Sequence, residues 1–292
     1  MSDLNKLKIK ECLDSVILGN RRKAELCIPK SMAMDLGQSA LQAMDSGFFI
    51  NAEGRKVDWR DDVEKSCRET KSIKPDDPIG TSFECKFSET TVQIVNETTL
   101  QAAQKMVKFG TRPLALNFAN GIEPGGGFLR GAMAQEETLC RSSALFKTLK
   151  DNPMYEFHKS KDLPESSDWV IYSKNVPVMR YDDGTAHDHH WHLSFLTCAA
   201  PYAPGVGSDI AAELLGKRIL RVLAVSASLG YENLVLGAWG CGAFGNSPER
   251  TARDFRIALE KDFSGVFNQV VFAITDWSPE RKFLGPFRDV FS

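Results

Sequence analysis

NFANGIEPGGGFLRGAMAQEE, residues 117–137, is the stretch on which the reading of this chain turns. It begins on the end of an apolar run, RPLALNF (112–118), which has the composition of a buried strand. It passes through three consecutive glycines and closes on Gln135-Glu136-Glu137, where a helix-compatible segment starts and runs to about Leu149. Gly125, Gly126 and Gly127 cost conformational entropy on folding. What they permit is close approach of a ligand to bare backbone, with amide N–H groups facing it. The loop ends at a helix N-terminus, where unpaired N–H groups and the dipole favour an anion. A glycine run alone makes a tight turn. The two glutamates just beyond it make this stretch a candidate active site, one that holds a phosphorylated sugar against glycine backbone and offers it a carboxyl.

The same strand-to-helix grammar extends in both directions. TVQIV (91–95) reads as a strand, and Thr98-x-x-Gln101 is a capping box opening a helix. Residues 170–179 and HLSFLTCAA (192–200) read as strands, and 208–229 as a long helix with apolar positions at Ile210, Leu214, Leu215, Ile219, Val222 and Leu223. NLVLGA (233–238) is a strand, Ser247-Pro248 caps a helix running to about Phe263, and QVVFAIT (269–275) is the last strand. Upstream, residues 21–44 and 57–70 have helical spacing, and 71–81 reads as a loop. The expectation is an α/β fold with a mostly parallel sheet covered on both faces. It divides into an N-terminal helical region, 1–90, packed on a core, 91–292, as one continuous domain.

Ligands of such sheets bind where loops leave the carboxyl ends of the strands. That rule selects the 118–135 loop and a second one, GAWGCGAFGNSP (237–248). The second loop carries Gly237, Gly240, Gly242 and Gly245 ahead of a capped helix, the form of a phosphate-binding turn. No Gly-Lys-Ser/Thr follows it, so it is not a Walker loop, and the redox-dinucleotide G-x-G-x-x-G is absent after the first strand. Trp239 and Phe244 are candidate walls for a ribose or base. Cys241, with no histidine placed beside it, reads as a small buried filler. Two anion-holding loops at one sheet edge imply a ligand bridged by a diphosphate.

Composition excludes several classes. The 292 residues include 42% hydrophobic and 25% charged, with net charge −2, a soluble globular profile without the basic excess of a general nucleic-acid binder. No apolar run spans a bilayer, and the N-terminal segment lacks a leader's apolar core. Seven cysteines, odd in number and never spaced C-x-x-C, imply reduced thiols and a cytoplasmic chain, with secretion by a signal-independent route left open. His187, His189, His190 and His192 surround Asp188 in HDHHWH. His190 and His192 share a strand face and could hold a metal, but no zinc spacing matches, so a solvated loop entering a strand is the simpler reading and no metal is expected.

Taken together, these residues resemble the macrodomain superfamily, and within it the bacterial-type poly(ADP-ribose) glycohydrolases. That family's signature is three glycines, six to eight residues, then Gln-Glu-Glu; here seven residues separate Gly127 from Gln135. NFAN resembles the Asn-x-x-Asn end of the matching strand, LGAWGCGAFGN the diphosphate loop, and CAAPY (198–202) the Ala-Ala-Pro turn. The resemblance covers residues 20–280 and implies a macrodomain-like three-layer sandwich with a mixed central sheet and an N-terminal helical accessory region. It assigns Glu137 as the catalytic glutamate and Glu136 as the residue that hydrogen-bonds the bound ribose. Gly125–Gly127 would surround the terminal ribose and its phosphate, beside Gln135, and Asn120 the distal ribose. Gly240, Cys241, Gly242, Ala243, Phe244 and Gly245 would hold the diphosphate, with Phe244 orienting the ribose. Asp276, at the end of the last strand, is the candidate on the adenine side.

Hydrolysis of a ribose O-glycosidic bond passes through an oxocarbenium-like state, so the leaving oxygen needs a proton and the cation a nearby negative charge. Adjacent helical residues diverge by about 100°, so Glu136 and Glu137 are not expected to flank one bond, and Glu137 alone would serve as acid and then base. The implied activity is release of ADP-ribose from poly(ADP-ribose), by a monomer, without a cofactor. A hydrolase of mono-ADP-ribose on a protein side chain or nucleic acid, or a non-catalytic ADP-ribose-binding module, are the alternatives; the intact Gln-Glu-Glu argues against the last.

Overall fold

The computed structural model describes residues 6–80 and 82–292. Residues 1–5, the start of the N-terminal segment that lacks a leader's apolar core, and residue 81, the end of the expected loop 71–81, lie outside the described residues.

In chain order the elements are β1 (Lys6–Ile9), α1 (Val16–Leu26), α2 (Lys30–Ser46), β2 (Phe48–Ile50), β3 (Lys56–Asp58), α3 (Arg60–Glu69), β4 (Lys71–Ile73), β5 (Glu89–Val95) and α4 (Thr99–Lys108). They continue with β6 (Pro113–Ala119), α5 (Gln135–Ser142), α6 (Leu145–Leu149), α7 (Pro153–Lys159), β7 (Val170–Arg180) and β8 (Ala186–Ala199). The chain closes with α8 (Ala203–Val206), α9 (Ser208–Ser228), β9 (Asn233–Leu236), α10 (Pro248–Glu260), β10 (Gln269–Ala273) and α11 (Leu284–Val290).

Eight strands form one sheet in the order β1-β5-β10-β9-β6-β8-β7-β4. The six from β1 to β8 are mutually parallel, and β7 runs against both of its neighbours. Each central strand sends alternate residues to opposite faces, as the two-residue period of a strand requires. Leu114 and Leu116 of β6, Leu234 and Leu236 of β9, and Val270 and Phe272 of β10 enter one apolar cluster with Leu215 and Ile219 of α9, Phe255 of α10 and Phe287 of α11. Ala115, Val235 and Val271 enter the other, with Met44 of α2, Val63 of α3, Leu100 of α4 and Leu139 of α5. Full burial of a side chain such as Phe272 contributes about 1.5–3 kcal/mol, and both faces are lined this way. The result is a three-layer α/β/α sandwich around a mixed, mostly parallel sheet, the macrodomain-like architecture that the sequence implied.

Local signals were read correctly where they were strong. Thr98 accepts from the Gln101 N–H while Gln101 reaches back, a complete capping box, and Ser247 caps α10 by accepting from Arg250 N–H. Four expectations need correction. The helix read over 21–44 is two helices, because Pro29 interrupts it at the start of α2. The helix read over 135–149 breaks at Ser143, whose hydroxyl accepts from the Leu145 N–H and restarts the chain as α6. The loop 71–81 begins with a strand, β4. The histidine tract is strand as well: β8 starts at Ala186, so HDHHWH lies inside it. Residues 1–90 therefore supply not only α1–α3 but both edge strands of the sheet. No helix among the described residues is long and apolar enough to cross a membrane.

Candidate active site

Because β5, β6, β8, β9 and β10 are parallel, their carboxyl ends share one edge. A cavity of about 460 Å³ opens there, lined by residues that follow each of the five strands, a size suited to a small ligand. Both glycine loops reach this edge.

Glu136 and Glu137 occupy the first turn of α5 and both line the cavity. Glu136 is 3% exposed. Its Oε2 accepts from the Asn120 N–H at 2.7 Å and its Oε1 from the Asn117 amide at 3.2 Å. Burial pushes its carboxyl up to about 8, against the pull of the Asn120 and Asn117 donors and with the help of the neighbouring Glu137 charge. Glu137 is half-buried and its Oε1 accepts from the Gly127 N–H at 3.0 Å. It faces the cavity with a single protein hydrogen bond, whereas Glu136 is embraced.

The three glycines play a different part from the one expected. Their N–H groups turn inward: Gly125 to the Glu136 carboxyl, Gly126 to the Glu123 carbonyl and Gly127 to Glu137. None of the three lines the cavity. They shape the carboxyls instead of presenting an anion cradle. Gly126 shows why glycine is required. Its φ is +56°, and a Cβ there would lie 2.4 Å from Glu137 Oε1 and 3.3 Å from Glu136 Oε2. The same numbers show that the two carboxyls converge on one glycine more closely than their helical offset implies.

Gln135 also acts on the protein. Its Oε1 accepts from the Phe118 N–H at 2.9 Å, and its Nε2 donates to the Leu116 carbonyl and the Thr99 hydroxyl. It braces the start of α5 against the end of β6, although the residue itself borders the cavity. Asn120 Oδ1 accepts from Ile122 and Glu123 N–H groups, holding the turn into the glycines. The Gly121 carbonyl accepts from His158 Nδ1 at 2.8 Å, and Ser167 pairs with the other ring nitrogen at 2.6 Å. Burial holds this imidazole down at about 4, so it is neutral.

The second loop, unlike the three glycines, lines the cavity itself. Gly240, Gly242, Ala243 and Phe244 line the cavity. The loop's internal bonds use the N–H groups of Trp239, Cys241, Gly245 and Asn246, and none uses those of Gly242, Ala243 or Phe244. Asn246 pins the turn by donating to the carbonyls of Pro201, Gly240 and Phe244. Gly245, at φ +70°, closes it and is not among the lining residues. Phe244 stacks edge-on with Tyr202 at 5.9 Å. Cys241 is buried, its thiol 3.6 Å from the Thr251 hydroxyl and pushed up to about 12 by burial, which disqualifies it as a nucleophile. Trp239 borders the cavity, but its side chain is buried in the core. No lysine or arginine lines the cavity among the described residues, so an anion there is met by backbone N–H groups and uncharged side chains.

Asp276 does not line the cavity. Its Oδ1 accepts from the N–H and hydroxyl of Ser278, and its Oδ2 from the N–H groups of Phe283 and Leu284. Burial pushes this carboxyl up, but the Ser278, Phe283 and Leu284 donors hold it below its ordinary range. It fixes the neighbouring walls, Trp277 and Phe283, which the sequence reading missed. Also missed were Leu26, Glu97, Thr98, Thr99 and Asp182 along the cavity; Asn117, which opens the 117–137 stretch, had no role assigned and stands behind Glu136. Thr98 carried a legible signal, its capping box, but nothing marked it as a wall. Its hydroxyl binds Asp182 at 2.7 Å, a carboxyl pushed up to about 6 by burial.

Comparisons with known proteins bear on the fold and the family. Residues 37–181 match the family described as microbial-type PARG, catalytic domain. A poly(ADP-ribose) glycohydrolase from Thermomonospora curvata is 34% identical, with a TM-score of 0.84, covering 89% of this chain and 99% of that one. The same enzyme bound to the inhibitor ADP-HPD gives a TM-score of 0.82 at 34% identity, over the same shares of the two chains. A poly(ADP-ribose) glycohydrolase from Deinococcus radiodurans in complex with ADP-ribose is 33% identical, with a TM-score of 0.71, covering 78% of this chain and 96% of that one. A search of curated proteins finds no match. The shared fold, identity above 30% over nearly the whole of these relatives, and the matched catalytic domain place the chain in one family: it belongs to the microbial-type poly(ADP-ribose) glycohydrolases.

Proposed function

We propose that this chain hydrolyses ribose–ribose O-glycosidic bonds of poly(ADP-ribose), releasing ADP-ribose, with Glu137 as the working carboxyl. The observation that carries the reading is the division between two adjacent glutamates: Glu136 buried in donors, Glu137 half-open to the cavity with one. Glu137 protonates the leaving oxygen as the bond breaks and then takes a proton from the attacking water. Glu136, held neutral near pH 7 by burial, positions the ribose through its hydroxyls and the Asn120 turn. The diphosphate lies on the free N–H groups of Gly242, Ala243 and Phe244, and its charge stabilises the cationic sugar. Phe244 orients the ribose, and the adenine occupies the end walled by Leu26, Trp277 and Phe283. Asp276 supports that end from behind. Gly125–Gly127 and Gln135 set the position of the two carboxyls.

Residues 1–90 and 91–292 work as one continuous unit in this reading, since β1 and β4 belong to the main sheet. The free cysteines suit a reducing compartment such as the cytoplasm, and the monomer is the acting form. Purified protein incubated with poly(ADP-ribose), and separately with mono-ADP-ribosylated proteins and nucleic acid, tests the reading. Free ADP-ribose from the polymer is the expected product. Release only from mono-ADP-ribosylated targets would reassign the substrate, and release from neither would leave a binding module.

A further inference from the structure

β8 brings His190 and His192 to one face, two residues apart, at the end of the strand remote from the cavity. Ten residues of strand, about 30 Å, separate His190 from Ala200 at the cavity wall. In the first turn of α3, Asp62 reaches both rings. Its Oδ2 lies 2.7 Å from His190 Nε2 and 3.5 Å from His192 Nε2. One oxygen and two ring nitrogens lie within 4.8 Å of one another, and the ring planes meet at 84°. A tetrahedral zinc ion with bonds of about 2.0–2.1 Å holds its ligand atoms about 3.3 Å apart, which these separations bracket.

We propose that Asp62, His190 and His192 bind one divalent transition-metal ion of the zinc class. Two imidazoles and a carboxylate are the donor set of such ions and not of calcium or magnesium, which take oxygen. His190 stands edge-on to Phe49 and Trp59, both at 6.5 Å, which fixes its ring. Its Nδ1 is buried without a protein partner, leaving Nε2 as the nitrogen that meets the ion. Asp62 and His192 are 42% and 41% exposed, giving the ion an entry path and a water in its fourth position. None of the three lines the cavity, so the ion is structural: it clips α3 to β8. Sequence spacing brought out His190 and His192 but not the third ligand, which lies 128 residues before His190.

Tag-free protein stripped with a chelator and titrated with Co²⁺ tests the proposal. The expected result is one equivalent of cobalt bound with a visible band of low-coordinate cobalt, displaced by Zn²⁺, and a thermal transition raised by either ion. Asp62→Asn, which preserves a hydrogen bond to a histidine, and His192→Ala both lose the band and the thermal shift. Both retain turnover of poly(ADP-ribose), which shows that they fold. Absence of the band from the wild-type protein at stoichiometric cobalt, or its survival in either variant, overturns the proposal.

Discussion

Glu136 makes the stability of the fold depend on pH in a window of its own. Its folded carboxyl is pushed from 4.5 up to about 8 by burial, whereas in the unfolded chain it ionises near the ordinary value. Between those limits the folded state holds one more proton than the unfolded state, so stability falls as pH rises, by about 1.4 kcal/mol per unit at most. His158 and His187, both held down at about 4 by burial, act in the opposite sense. Their neutral folded forms gain stability as pH rises, and about 0.4 kcal/mol of that gain per histidine is still to come above pH 6.5, where free histidine is half protonated. Asp182, pushed up to about 6, falls in the same sense as Glu136 and is spent by then. From pH 6.5 to 8 the Glu136 loss is about 1.5–2 kcal/mol, which outweighs the gain of about 0.8 kcal/mol from the two histidines. Glu136→Gln keeps a carbonyl for the Asn120 N–H and removes the titration. Urea unfolding at pH 6.5, 7.0, 7.5 and 8.0 is expected to give a falling free energy for the wild type and a slightly rising one for the variant, in which only the histidine gain is left. Parallel curves would refute the assignment of a proton to the buried carboxyl.

Three further substitutions separate shape from chemistry. Gly126→Ala puts a Cβ against Glu137 at a positive φ; it should cost about 1–3 kcal/mol and abolish turnover, read from the thermal transition and ADP-ribose release together. Gly242→Ala meets nothing within 4 Å in the protein, so stability should change by less than about 0.5 kcal/mol while ADP-ribose affinity, measured by calorimetry, falls; unchanged affinity would remove this loop from the ligand's footprint. Gln135→Ala unpairs the Phe118 N–H and the Leu116 carbonyl, for a loss of about 1–3 kcal/mol in chemical unfolding; a variant as stable as the wild type would show that the brace carries nothing.

What the sequence disclosed depended on how local the cause was. The central strands were legible because both of their faces are buried, which leaves near-continuous apolar runs such as LAL in β6. Caps at Thr98 and Ser247 were legible because donor and acceptor lie within three residues. β1 and β4 were not, being edge strands of four and three residues, KLKI and KSI, whose pairing partners are distant. In the site, spacing identified the two glutamates and both loops but not what their groups touch. The glycine N–H groups are occupied by Glu123, Glu136 and Glu137, and Gln135 by Leu116 and Phe118. The walls formed by Leu26, Asp182 and Phe283 come from segments that meet only in the folded chain. Asp276 was found at the right strand end, yet its carboxyl is committed to Ser278, Phe283 and Leu284.

The central claim is that Glu137 performs the chemistry while its neighbours hold the ligand. Release of ADP-ribose from poly(ADP-ribose) by Glu137→Gln, with ADP-ribose affinity measured on the same preparation, tests it most directly. The account predicts near-wild-type affinity, since the glutamine carbonyl still accepts from the Gly127 N–H, and a fall in turnover of about 100-fold or more. Turnover close to wild type with intact binding would contradict it.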